Sequence, residues 1–158
     1  MRQILQFLRL LQKEKIPFIA IGMSAARLHG APVVTQDFDL WVPSIEPEVL
    51  DRLAAKADAV LSGGREPPCA LNFTEDMPVD LVRHLSTHLA LQYALRISSR
   101  VRIQDIRIPV LPIKEIIASK KAAGRPKDLA ALPILYNFAK ARQKVKAGAK
   151  RGKQQKRA

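Results

Sequence analysis

The chain has 158 residues, 47% hydrophobic but only 5% aromatic, so it is long enough for one domain with a mainly aliphatic core. A single cysteine, Cys69, excludes an intrachain disulfide and suits a reducing compartment, and no run approaches the roughly 18 apolar residues of a membrane span. The net charge is +13, but nine Lys or Arg and no acid lie from Lys140 onward, which leaves +4 for the rest; the basicity is a property of the tail.

Apolar residues at 4, 5, 7, 8, 10 and 11 predict a helix over 2–14, ended by Pro17. Gln3, Gln6, Arg9 and Gln12 interrupt that stretch and no small-residue cleavage site follows, so a secretion signal is not expected and a cytoplasmic location is. PFIAI (17–21) reads as a buried strand stopped by Gly22. SAARLH (24–29) reads as a short helix opened by Ser24 and closed by Gly30. After a connection over 31–36, DFDLWV (37–42) predicts a second strand ended by Pro43. Residues 46–61 have the pattern of one amphipathic helix, with Pro47 early and Glu46 and Glu48 at its positive end.

A loop over 62–68 leads to two strands, 69–73 and 78–85, expected to form a hairpin. Residues 87–97 suggest a helix. RVRI and IRIPV, separated by Gln104-Asp105, predict a second hairpin. Residues 112–124 form a helix ending at Gly124, and 126–146 another, with Pro133 awkwardly inside it. The remainder is low-complexity and carries no core-forming residue. The expected fold class is α/β (α+β): a mixed sheet packed by helices, with a helical C-terminal segment. The expected division is a domain over 1–138 and a basic helix extension with a disordered tail over 139–158.

The chemistry concentrates around Gly22, Ser24, Asp37, Asp39 and Asp80. A glycine before a helix lets the backbone approach a phosphate, and the free N–H groups of a helix start suit a triphosphate. Asp37 and Asp39, two apart on a strand, point to one side while Phe38 turns inward. Two carboxylates so close repel unless a cation or proton intervenes. Asp80 sits in PVDLV between apolar residues, where an acid needs a reason to be. Mg²⁺ prefers oxygen ligands of this kind.

IGMSAARLHGAPVVTQDFDLWV resembles the opening of the DNA polymerase beta-like nucleotidyltransferase superfamily. More narrowly it is similar to minimal bacterial members, including toxins and antitoxins. The resemblance rests on Gly22, His29-Gly30, Thr35-Gln36-Asp37-Phe38-Asp39 and the PVDLV strand, and SKKAAGRPKDLAAL (119–132) resembles a helix-turn-helix segment of the same proteins, with Lys120, Arg125, Lys127 and Asp128 in the matching places. It covers about residues 15–138. It implies a nucleotidyltransferase-like sheet, one or two Mg²⁺ on Asp37, Asp39 and Asp80, and Asp80 as a base for the acceptor. It also implies an NTP substrate whose phosphates meet Gly22, Ser24, Lys120 and Lys127, and an acceptor hydroxyl on RNA, protein or a small molecule. A toxin or antitoxin chain as partner follows from the narrower likeness. Met23, Val33 and Ala131 depart from the pattern. The alternative function is a module of this fold that holds nucleotide or nucleic acid with little or no turnover.

Plainer roles stand beside these. Asp80 alone could pair with Arg83 or Arg27. Lys120 and Lys127 could be a solvated helical face. His29 reads as a helix C-cap, His84 and His88 as surface or structural residues without a third zinc ligand, and Cys69 and Trp41 as core. The basic tail reads as a solvated end, a nonspecific contact with RNA or DNA, or a contact with an acidic partner; no aromatic residue follows Phe138 to stack on bases.

Overall fold

The computed structural model describes residues 1–155, with side chains described through Val145. α1 (Arg2–Lys13) buries Ile4, Leu5, Phe7, Leu8 and Leu11, the stripe expected from their spacing. Its first turn is satisfied from outside, because the N–H groups of Gln3 and Ile4 donate to Asp76 Oδ2 at 2.7 and 3.1 Å. The chain continues through β1 (Ile19–Ala20), α2 (Gly22–Leu28), β2 (Phe38–Trp41) and α3 (Pro47–Lys56). Then come β3 (Ala59–Ser62), β4 (Cys69–Phe73), β5 (Val79–Val82), α4 (Leu91–Ile97), β6 (Ser99–Ile103) and β7 (Ile106–Val110). α5 (Ile113–Ala123) and α6 (Pro126–Gln155) complete the described chain.

The strands form one seven-stranded mixed sheet in the order β3-β4-β5-β2-β1-β7-β6. β2 is central, parallel to β5 and antiparallel to β1. Both expected hairpins are present, β4 with β5 and β6 with β7. β1 is short but joins the halves, since it also pairs in parallel with β7. The core is mainly aliphatic, with Leu40, Leu50, Leu53, Leu71, Leu81 and Ile108 fully buried. Trp41 and Cys69 belong to it, and the Trp41 indole N–H donates to the Arg83 carbonyl at 2.8 Å.

Two expectations about elements are corrected. The single helix over 46–61 is instead α3 followed by β3. The chain turns at Asp58, whose φ is +54°, and Ala59–Ser62 add an outer strand antiparallel to β4. Leu53, Ala57 and Val60 keep helical spacing across that turn, yet Val60 is 71% exposed. At the other end, α6 passes the end expected at 146 and runs to Gln155. Its composition there is Ala, Lys, Arg and Gln with only two glycines, and those are helix-forming residues. Of the segment expected to be a disordered tail, residues 156–158 lie outside the described residues. The last apolar side chains packed against the core are Leu135, Phe138 and Ala139. No described helix is long and apolar enough to cross a membrane.

Candidate active site

β2 and β5 are parallel neighbours, and their register sets Asp39 directly beside Asp80. Phe38 pairs with Val79 and Leu40 with Leu81, all buried, so the two carboxylates share the opposite face. Asp37 lies just before β2. Its carboxylate oxygen Oδ1 accepts from the Thr35 hydroxyl at 2.9 Å, which holds it in place. The three side chains converge: one oxygen from each of Asp37, Asp39 and Asp80 lies within 4.8 Å of the other two. Arg83 is not Asp80's partner, because it binds Glu66 and the Pro67 carbonyl, and Arg27 is exposed.

Asp39 is the most constrained of the three. Its carbonyl accepts from Ile21 N–H at 3.0 Å, and its N–H donates to Ser24 Oγ at 3.1 Å. Ser24 Oγ in turn donates to the Ile21 carbonyl at 2.9 Å. Ser24 is buried, so its hydroxyl ties α2 to β2. Gly22 opens α2 at φ +62°, and a Cβ there would stand 2.1 Å from Asp39 Oδ2. The glycine is therefore needed twice, for its backbone conformation and for the carboxylate lying against it. Burial first, then the charges of Asp37 and Asp80, push the Asp39 carboxyl up to about 7, against the opposing pull of Lys120 and Lys127. Asp80 is raised as well, by burial and Asp37, with Lys127 opposing.

Asp37 and Asp39 line a cleft of about 630 Å³, within the range of small-molecule sites, and Asp80 adjoins it beside Asp39. Gly22 and Met23 line it with them, and Lys120, Arg125, Lys127 and Asp128 contribute a cationic wall. That wall is the corner between α5 and α6. Gly124 makes that corner at φ +64°, a left-handed helix end. Lys120 Nζ donates to Asp128 Oδ1 at 2.8 Å and Arg125 Nε to Asp128 Oδ2 at 2.5 Å. Burial alone would raise the Asp128 carboxyl, but the bonds from Arg125 and Lys120 outweigh it and hold it below its usual value. Lys127 makes no ion pair among the described residues and faces the acids electrostatically.

Thus Gly22, Asp37, Asp39, Lys120 and Lys127 line one cleft, Asp80 converges on the two acids there, and Ser24 is buried between α2 and β2. Sequence reasoning gave no site role to Thr35, Arg125 or Asp128. A threonine two residues before the first acid was the available signal for Thr35, while Arg125 and Asp128 stand at matching positions of the resembled 119–132 segment without a role attached. His84 and His88 are exposed and stack at 6.1 Å, with His84 also lining the cleft, and His29 caps α2 with a ring nitrogen 2.9 Å from the Leu111 carbonyl. Three hard oxygen donors without nitrogen or sulfur suit Mg²⁺ or Mn²⁺. The donor set therefore fits the ion that the resemblance implies.

No family model matches the chain, and no curated protein does. Among solved structures, it is similar to the antibiotic-resistance factor ANT(2'')-Ia, a nucleotidyltransferase whose solution structure shows substrate-regulated conformation dynamics. The TM-score is 0.63 at 14% identity, over 96% of this chain and 90% of that one. The likeness establishes a nucleotidyltransferase-like fold. It does not extend to the toxin–antitoxin group.

Proposed function

We propose that this chain transfers a nucleoside monophosphate from an NTP to an acceptor hydroxyl, with Mg²⁺ held by Asp37, Asp39 and Asp80. The observation that carries this is the convergence of the three carboxylates, two of which line a cleft that Lys120, Arg125 and Lys127 also line. Burying acids that raise one another's pKa is costly, and a divalent cation relieves that cost. The fold of ANT(2'')-Ia supports the same chemistry.

Bound there, Mg²⁺ supplies charge neutralisation for the triphosphate and acidity for the acceptor hydroxyl. The chain supplies the rest. Thr35 and Ser24 fix Asp37 and Asp39, Gly22 leaves room for the Asp39 carboxylate, and Lys120 and Lys127 face the phosphate tail across the cleft. Asp80 takes the acceptor's proton as its oxygen bonds to the α-phosphorus. The bond to the β-phosphate breaks and pyrophosphate leaves. The work is positioning and electrostatics.

The test is pyrophosphate release with each labelled NTP, Mg²⁺, and pools of RNA, protein and small hydroxyl acceptors. Asp39→Ala is expected to bring transfer to background while the circular dichroism spectrum is kept. Transfer that survives in this variant sinks the assignment. A second function, nucleotide binding without turnover, is favoured by Met23, which lines the cleft beside Gly22; it is distinguished by NTP affinity with no pyrophosphate from any acceptor. Partnership with a toxin or antitoxin chain draws its support from the His29-Gly30 and Thr35–Asp39 motif.

A further inference from the structure

Asp128 is the one charged residue among the described side chains that is buried outright, at 1% exposure. A buried carboxylate is costly unless every oxygen is matched. Here both are, by Lys120 Nζ and Arg125 Nε, one cation from each side of the Gly124 corner. Lys120 is itself largely buried, with 14% of its side chain exposed, whereas 62% of Arg125 is. All three line the same cleft as Asp37 and Asp39. A long lysine or arginine side chain loses much rotamer freedom when it is held for a ligand. An anchor that fixes both cations before the ligand arrives removes that cost from binding.

We propose that Asp128 is a positioning residue: it presents Lys120 and Arg125 to the phosphate tail of the nucleotide across the cleft from the three acids. This rests on the nucleotidyl-transfer function proposed above and adds to it the residue that organises the phosphate wall and a role for Arg125. Charge alone makes a contrary statement. Asp128 is an anion beside an anion site, so by Coulomb's law its neutralisation should tighten the binding of a polyphosphate. If positioning dominates, the same change loosens it. The sign of the effect decides between them.

The probe is inorganic tripolyphosphate with Mg²⁺, titrated calorimetrically into the full chain. It carries the phosphate chemistry without base or sugar. Asp128→Asn is expected to weaken it about tenfold or more, a change worth about 1.4 kcal/mol per factor of ten. Mn²⁺ uptake at the acids, read by electron paramagnetic resonance, should stay within about twofold, since the metal ligands are elsewhere. In a Lys120→Gln/Arg125→Gln background, Asp128→Asn should change tripolyphosphate affinity little, because it acts through those two side chains. That background also keeps the proposal testable if Asp128→Asn alone fails to fold: the Lys120→Gln and Arg125→Gln single variants must then each weaken tripolyphosphate. Tighter or unchanged binding in Asp128→Asn overturns the proposal, as does an equal loss in both backgrounds, or a wild-type chain that takes up Mn²⁺ but no tripolyphosphate. Failure of Mn²⁺ uptake by the wild type is a different result and strikes the proposed function itself.

Discussion

At Gly22 one methyl group decides whether the acids can meet. An added Cβ would stand 2.1 Å from Asp39 Oδ2 and 2.7 Å from Cγ. The carboxylate end of a side chain can swing away, but here the swing takes Asp39 from Asp37 and Asp80. The φ of +62° adds strain for any L side chain, roughly 1–2 kcal/mol. Gly22→Ala is therefore expected to lower stability by about that amount and to weaken Mn²⁺ binding about tenfold or more, as read by denaturation beside a Mn²⁺ titration. Mn²⁺ binding at the wild-type level would mean that Asp39 is not a ligand.

Asp39 itself makes the metal-free protein pH-sensitive. Its folded carboxyl titrates near 7 against an ordinary value of 3.8, so the folded state holds a proton that the unfolded chain has already lost. The favourable contribution is complete below about 4 and disappears as pH rises toward 7. In EDTA, wild-type stability should fall across that window on the order of 2 kcal/mol, given about 1.4 kcal/mol per pKa unit and partial hydration of the cleft. Asp39→Asn should remove most of the fall, so that it melts higher than wild type at pH 8 and not at pH 4. Adding Mg²⁺ should reverse the order at pH 8 by stabilising only the wild type. Parallel pH profiles for the two proteins would contradict the burial of this charge.

At the scale of elements, α1 depends on an acid distant in sequence. Asp76, in the turn between β4 and β5, accepts from the N–H groups of Gln3 and Ile4. Asp76→Ala leaves two first-turn donors unmatched and removes a negative charge from the positive helix end. The expected cost is about 1–2 kcal/mol in urea denaturation, with Mn²⁺ binding unchanged. The sequence could not show this cap, because neither partner carries a local signal for the other. The same limit explains β3. Asp58 turns the chain without glycine or proline, and the apolar residues on either side of it keep a helical spacing. Elsewhere the alternation and the stop signals read true: Gly124 ends α5, and the turn at Gln104-Asp105 joins β6 to β7.

The site was legible to a similar depth. Acids stranded among apolar residues, such as Asp80 within PVDLV, announce themselves, and the structure brings Asp37, Asp39 and Asp80 together. Ser24 announced a phosphate contact, yet its hydroxyl is buried between α2 and β2. Asp128 matched the family's segment without announcing a role, since an acid in a first helical turn is ordinary and only the α5–α6 corner buries it.

Over the whole molecule, charge divides where the packing stops. Ala139 is the last residue against the core, and from Lys140 to Val145 every described side chain but Arg142 is exposed. Arg142 rests on the Phe138 ring at 5.6 Å. Nine of the 27 basic residues lie from Lys140 on, with no acid among them. No aromatic residue follows Phe138 to stack on bases, and cations alone bind nucleic acid through phosphates, so the affinity is independent of sequence and steep in salt, with a slope of about −0.7 per phosphate neutralised on a single strand. Deleting residues 140–158 is therefore expected to abolish binding of the full chain to poly(U) at low salt. The melting temperature and Mn²⁺ uptake should stay near wild-type values, because among the described side chains from Lys140 to Val145 none belongs to the core, and the segment carries no acid. The wild type should bind poly(U) and poly(A) about equally, and raising the salt should weaken both in parallel. If the shortened chain keeps the affinity and its salt dependence, the nucleic-acid surface lies on the folded body, and the cationic wall of Lys120, Arg125 and Lys127 becomes the place to look for it.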